Sequence, residues 1–231
     1  MSIAENIAQI RANIAQACAQ AGRSPEEITL VGASKMNDAA ACREAIAAGI
    51  DALGENRVQE MTAKLAENAY DGAPLHFIGH LQRNKVKQVV GKVALIQSVG
   101  SMELLEEIEK VAAREQLVQD ILLEVNIGRE EAKSGFDPDA VTAAAEAALS
   151  LPHVRVRGLM TIPPADADRD ANMRYFQEVQ ALYVDINTKL FHNELKCLSM
   201  GMSGDYMDAI RCGATMVRVG TAIFGARHYN I

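Results

Sequence analysis

Ile28-Thr29-Leu30-Val31-Gly32-Ala33-Ser34-Lys35 is an apolar run of strand length that closes on a cation and is followed by a helical pattern. Runs of this kind recur from end to end, alternating with segments whose apolar residues fall three and four apart. That alternation is the signature of parallel β/α units. Working outward, the predicted strands are Ile28–Ser34, Ile50–Leu53, Leu75–Ile78, Val93–Gln97, Asp120–Asn126, Val154–Ile162, Lys196–Met200 and Met216–Val219. A doubly wound open sheet shares the alternation. Eight units favour closure into a single-domain (β/α)8 barrel, the TIM-barrel architecture, filling residues 1–231 without a linker or a composition shift.

Before the first unit, Ile3, Ile7, Ile10, Ile14 and Ala17 repeat at helical spacing, and Gly22-Arg23-Ser24-Pro25 supplies a stop and a new start. Residues 1–24 are therefore expected as an extra helix outside the barrel. Two further helix starts are marked by local chemistry: Ser101 before Met102, and Asp137 before Pro138. Met102–Gln116 and Pro138–Leu149 are the helices expected to follow.

Of 231 residues, 49% are hydrophobic, enough for one sizeable core, and the net charge of -7 argues against a sequence-independent nucleic-acid binder, which needs a basic face. Cys18, Cys42, Cys197 and Cys212 lack the spacing of a zinc site or a disulfide framework, so reduced thiols are expected. The opening Met1-Ser2-Ile3-Ala4-Glu5 does not read as a secretory signal. No run approaches the roughly 18 apolar residues of a membrane span. These features point to the cytoplasm.

In a barrel of this kind functional groups gather at the carboxyl ends of the strands. Lys35 follows the first strand, Gly54-Glu55-Asn56 the second, Gly79-His80 the third, Ser134 the fifth, Ser199 to Ser203 the seventh and Gly220-Thr221 the eighth. Period two along the last strand puts Met216, Arg218 and Gly220 on one face and Val217 and Val219 on the other. Arg218 then points into the barrel, where a guanidinium needs an acceptor; an ion pair with an inward carboxylate such as Glu124 is the plainest expectation. Ser203 and the amides of Gly220 and Thr221 lie on the loops after strands seven and eight, which form the recurrent phosphate cradle of this fold.

A phosphate grip, an arginine one step along and a lysine on the neighbouring first strand make a set that suits pyridoxal 5′-phosphate: an anion site, a partner for the ring nitrogen and an amine for the aldehyde. An arginine partner is always protonated and donates to an unprotonated pyridine, so the ring becomes a weaker electron sink than one paired with Asp. Other features read as structure. His76 and His80 straddle a strand end rather than sharing a helix face, so no metal site is expected. The run Glu103–Glu109 reads as a solvated helix face, and Met200 and Met202 as rim packing.

The chain resembles the YggS-type pyridoxal phosphate homeostasis proteins, which are also similar to the N-terminal barrel of alanine racemase. The resemblance is carried by Leu30-Val-Gly-Ala-Ser-Lys35, Gly54-Glu-Asn-Arg-Val-Gln-Glu60, His76-Phe-Ile-Gly-His-Leu-Gln-Arg-Asn-Lys85, Lys133-Ser-Gly135, Arg157-Gly-Leu-Met160, Leu198-Ser-Met-Gly-Met-Ser203 and Val217-Arg-Val-Gly-Thr-Ala-Ile-Phe-Gly225. It implies that Lys35 forms the internal aldimine, a Schiff base. It also implies that Asn56 lies near the ring or its phenolic oxygen, that Ser203, Gly220 and Thr221 bind phosphate, that Arg218 faces the pyridine nitrogen, and that Ser199 stands behind these groups. Lys85 and Lys133 fall in family motifs without an assigned role.

The same resemblance implies a monomeric carrier that holds the cofactor and delivers it to apoenzymes, with no established catalysis. Met36-Asn37-Asp38 departs from the Thr and Pro that family members place after Ser-Lys, so a different first loop is expected. Arg57 stands where an aromatic residue is frequent. Two other readings share the chemistry: a weak amino-acid racemase, which would need a second base that racemases of this fold take from an added domain, and a Schiff-base aldolase working without cofactor. The sequence stops at Ile231 as the eighth unit closes, and efficient racemisation is not expected.

Overall fold

The computed structural model describes residues 1–225. Eight strands run Thr29–Ala33 (β1), Ala52–Glu55 (β2), Leu75–Phe77 (β3), Leu95–Val99 (β4), Gln119–Val125 (β5), Val154–Thr161 (β6), Cys197–Ser199 (β7) and Met216–Val219 (β8), all parallel and closed in sequence order into one barrel. Helices Ala39–Ala47 (α2), Val58–Ala66 (α3), Met102–Arg114 (α4), Val141–Ala148 (α5), Arg169–Leu190 (α6), Tyr206–Arg211 (α7) and Thr221–Phe224 (α8) follow strands on the outside, and Ile3–Gln20 (α1) precedes them. The third crossover is a 3₁₀ segment, Arg83–Gln88. There Val86 and Val89 are buried at a spacing of three, the repeat of that tighter helix.

Helix α1 is the expected extra element. Ser2 and Glu5 form a reciprocal capping box at its start, and Ile7, Ile10 and Ile14 face inward. It packs against α2, α7 and α8, and Asn6 Nδ2 donates to the Ile223 carbonyl at 2.8 Å.

The strands obey period two. Val31, Ala52, Leu95, Leu122, Met160 and Met216 form a small cluster inside the barrel, whereas Leu30, Leu53, Phe77, Ile96, Leu123, Leu159, Leu198, Val217 and Val219 join the larger core between barrel and helices. Gly158 marks a register shift between β5 and β6. Its φ is +154°, and a Cβ there would stand 1.6 Å from the Cys197 carbonyl oxygen. The glycine of Arg157-Gly-Leu-Met160 is therefore dictated by backbone approach.

Two strands run further than periodicity predicted. β2 is shifted to include Gly54 and Glu55, and β4 to include Ser98 and Val99. The sequence reading stopped them at Leu53 and Gln97, short of Glu55 and Ser98, yet both of these are buried because each finds a partner. Ser101 caps α4 as expected, through the Leu104 amide. Asp137 does not cap α5: its carboxylate takes the Asp139 amide in a preceding turn, and the helix begins only at Val141.

Candidate functional site

Every residue singled out for the site lies at the carboxyl ends of the strands. Lys35 sits partly buried in the turn directly after β1, with Asn56 just past β2, Ser199 closing β7, Arg218 inside β8, and Ser203, Gly220 and Thr221 in the two loops beyond. β1 pairs with β8 in the register Val31↔Arg218 and Gly32↔Val219, which brings Lys35 and Gly220 to the same rim. A Cβ on Gly220 would stand 3.3 Å from the Ala33 carbonyl, so the two loops are in contact.

Arg218 is 3% exposed and points inward with Met216. Its partner is not the expected carboxylate. Nη1 donates to Ser199 Oγ at 2.5 Å and Nη2 to the Thr161 carbonyl at 2.9 Å. Glu124 does face inward on β5, but it takes the Ser134 hydroxyl at 3.1 Å and makes no contact ion pair among the described residues. It acts on Arg218 through space. Burial pulls the guanidinium down to about 10, with Glu124 and Asp205 opposing, so it remains a cation at neutral pH. Burial raises the Glu124 carboxyl, with Ser134, Arg218 and His80 opposing.

Behind Arg218 a hydrogen-bonded chain crosses the barrel. Ser199 Oγ donates to Gln97 Oε1 at 2.6 Å, and Gln97 Nε2 lies 2.9 Å from His76 Nδ1. Arginine can only donate, so each later member is oriented in turn and Nδ1 of His76 is assigned as an acceptor. Burial lowers His76 to about 4, which keeps the imidazole neutral. Sequence reasoning found Ser199 but not Gln97 or His76. The signal available was that both occupy inward positions on strands otherwise apolar.

In the loop after β7, Ser203 Oγ accepts from the amides of Gly220 at 3.2 Å and Ala222 at 3.4 Å. A hydroxyl that takes two amides keeps its own proton for a further acceptor. Asn56 Oδ1 is a buried acceptor without a hydrogen-bond partner among the described residues, and Asn56 lines a 250 Å³ cavity with Gly79, His80, Glu124 and Ser134. Gly79 is pressed so closely onto this loop that a Cβ would stand 2.2 Å from the Asn56 carbonyl oxygen. Lys133 is paired with Glu130 at 2.5 Å on the cavity rim, and Lys85 lies in the 3₁₀ segment, outside this constellation. Among the described residues no group of three or more His, Cys, Asp or Glu could hold a metal ion.

One mouth of the closed parallel barrel thus gathers an amine, a buried guanidinium and a serine-held glycine turn. Residues 6–228 match the family model for the alanine racemase N-terminal domain. The pyridoxal phosphate homeostasis protein of Aquifex aeolicus is 42% identical over 229 residues, 99% of this chain and 100% of that protein. PipY of Synechococcus elongatus, solved with PLP bound, is 33% identical with a TM-score of 0.85, covering 97% of this chain and 100% of that one. Alanine racemase of Clostridium difficile shares the fold, with a TM-score of 0.73 at 17% identity, covering 99% of this chain and 58% of its own. The chain belongs to the alanine racemase N-terminal domain family and, within it, to the pyridoxal phosphate homeostasis proteins.

Proposed function

We propose that this protein binds pyridoxal 5′-phosphate as part of intracellular cofactor homeostasis, holding it covalently on Lys35 and delivering it to recipient apoenzymes, without catalytic turnover of its own. The observation that carries the reading is the convergence of Lys35, Arg218 and the Ser203–Gly220 cradle at one rim of the barrel. The naming of full-length relatives as homeostasis proteins supports it.

The residues fit the cofactor. Ser203, Gly220 and Thr221 form the phosphate cradle: the Gly220 amide is given to Ser203 Oγ, which leaves the Ser203 hydroxyl proton for the phosphate with Thr221 beside it. Asn56 brings an acceptor in need of a donor to the ring side. Arg218 offers a permanent donor to the ring nitrogen, and Ser199 fixes its direction. The Lys35 amine would hold the aldehyde, one C=N bond replacing C=O with loss of water. Bound pyridoxal phosphate supplies an electrophilic carbon and an electron-withdrawing ring. Arg218 restrains the second property, because a ring nitrogen that accepts a hydrogen bond is not a cation. Holding is favoured over carbanion chemistry.

We further propose that the protein works as a monomer in the cytoplasm; no helix among the described residues is long and apolar enough to cross a membrane, and the four cysteines are free. Purified protein is expected to be yellow and to lose that absorbance on borohydride reduction, with a pyridoxyl adduct on Lys35 by mass spectrometry. A protein that stays colourless when given pyridoxal phosphate sinks the reading. A Lys35-dependent racemase turnover at metabolic rates would replace the carrier by the enzyme.

A further inference from the structure

Outside the barrel, under the turn that carries Lys35, lies a buried charged cluster that the cofactor site does not use. Strand alternation sends Glu55, the last residue of β2, outward into the layer between barrel and helices, where it is completely buried. Its Oε1 takes three donors: Lys64 Nζ at 2.6 Å, the Ser34 hydroxyl at 2.6 Å and the Tyr70 hydroxyl at 3.0 Å. Lys64, on α3, also donates to the Ser34 carbonyl at 2.8 Å, and the Ser34 amide donates to the Gly54 carbonyl at 3.0 Å. Every polar group of Ser34 is thus spoken for by β2 and α3.

On the far side of Lys35 α3 acts again. Met36 holds the left-handed backbone conformation, φ +64°, with its amide donating to Glu60 Oε2 at 2.8 Å. Asn37 closes the turn, its amide on the Ser34 carbonyl and its side chain on the Lys35 carbonyl, both at 3.1 Å. A non-glycine residue stays at positive φ only where its surroundings fix it there.

We infer that Glu55, Lys64 and Glu60 are positioning residues for Lys35: they clamp the peptides on either side of it, so that its amine meets an aldehyde-bearing ligand already oriented. A buried ion pair is a poor device for stability alone, since apolar residues of similar volume do as well. What it provides here is direction, because all the donors converge on the one oxygen that also holds Ser34. Lys35 lies in the turn between two fixed points, the Ser34 peptide on one side and the Met36 amide on the other. Misplacing a reacting group by about 1 Å can cost on the order of a hundredfold, which gives such a clamp its value.

The inference rests on the cofactor reading, and the test separates the two. Pyridoxal phosphate is titrated into the full chain, stripped of cofactor, as wild type, as Glu55→Gln/Lys64→Met and as Glu60→Gln, each with Lys35 present and with Lys35→Ala. Yellow absorbance and the borohydride-fixed fraction on Lys35 are read where Lys35 is present, and equilibrium dialysis of pyridoxal phosphate gives the affinity in both backgrounds. The double variant should lose about tenfold in apparent affinity with Lys35 present and stay within about twofold of its parent in the Lys35→Ala background; Glu60→Gln should lose about threefold in the same pattern.

Wild-type affinity and adduct yield in the variants, or an equal loss in both backgrounds, overturns the positioning role. A wild type that takes up no colour and no adduct overturns the cofactor reading, and this inference with it. If circular dichroism shows the double variant unfolded, Glu60→Gln decides, because Glu60 lies outside the buried cluster and its carboxylate is partly exposed.

Discussion

Lys35 and Arg218 stand on neighbouring strands at one rim, yet they are held by opposite chemistry. The turn of Lys35 is fixed from outside the barrel by full charges, Glu55 with Lys64, and Glu60 on the Met36 amide. Arg218 is fixed from inside by neutral groups, Ser199, Gln97, His76 and the Thr161 carbonyl. The difference follows from what each must keep. A guanidinium paired with a contact carboxylate would spend its charge within the protein; bonded to neutral acceptors, it stays a cation facing the site. Glu55 and Lys64 balance one another behind the strand and Glu60 is paired with Arg57 at 3.7 Å, so the turn is held by charges that have their own partners.

The comparison breaks most sharply on the charged side. Lys64→Met leaves the Glu55 carboxylate buried with only two hydroxyl donors, and removing one partner of a buried pair costs about 3–5 kcal/mol. Urea unfolding should show that loss, and Glu55→Gln added to Lys64→Met should recover most of it because no charge is then stranded. A single variant as stable as wild type would mean that the pair is solvated.

The neutral side should show itself through pH. His76 titrates near 4 in the folded protein against about 6.5 unfolded, so the unfolded chain binds more protons between those values. Its contribution is complete above pH 6.5 and fades as the pH falls toward 4, by about 3 kcal/mol on the linkage relation. Denaturation at a series of pH values should give that slope, and His76→Asn, which keeps an acceptor for Gln97 but cannot titrate, should remove this part of it. An unchanged slope would place the proton uptake elsewhere.

Ser199→Ala cuts the chain at its middle. Gln97 Oε1 loses its donor and Arg218 Nη1 its acceptor inside the barrel, an expected cost of about 1–3 kcal/mol. If the cofactor reading holds, affinity should fall with Lys35 chemistry intact, since the borohydride adduct still forms at saturating ligand. A loss of adduct at saturation would instead tie Ser199 to the lysine.

What the sequence made legible follows the same divide. Barrel closure, the extra helix and the inward turn of Arg218 came from apolar periodicity, which burial enforces on every strand. Gln97, His76 and Glu55 were placed on or beside strands, but their roles were not read because a polar residue's part in the interior shows only with its partner, and their partners lie 102, 21 and 9 residues away. The Arg218–Glu124 pair was expected from charge and alternation alone. Both residues do face inward, but alternation says nothing of height along the barrel, and Arg218 is already engaged by Ser199 and Thr161.

The smallest expected effect is the most discriminating. Met36 is 48% exposed, so its side chain contributes little packing, while its positive φ carries a steric cost that glycine avoids. Met36→Gly relieves about 1–2 kcal/mol of that strain and returns about 0.4–1 kcal/mol through the freer unfolded chain, a net gain of about 0.5 kcal/mol in thermal or urea unfolding. If the loop is held in place by Glu60 and the buried pair, the more stable variant should also present Lys35 less well, because glycine lets the turn leave the conformation that Met36 accepts only under constraint. Stability and adduct yield would then move in opposite directions at one residue. Movement in the same direction would show that the turn's shape is set by its own sequence, and that the charges behind it serve the fold rather than the lysine.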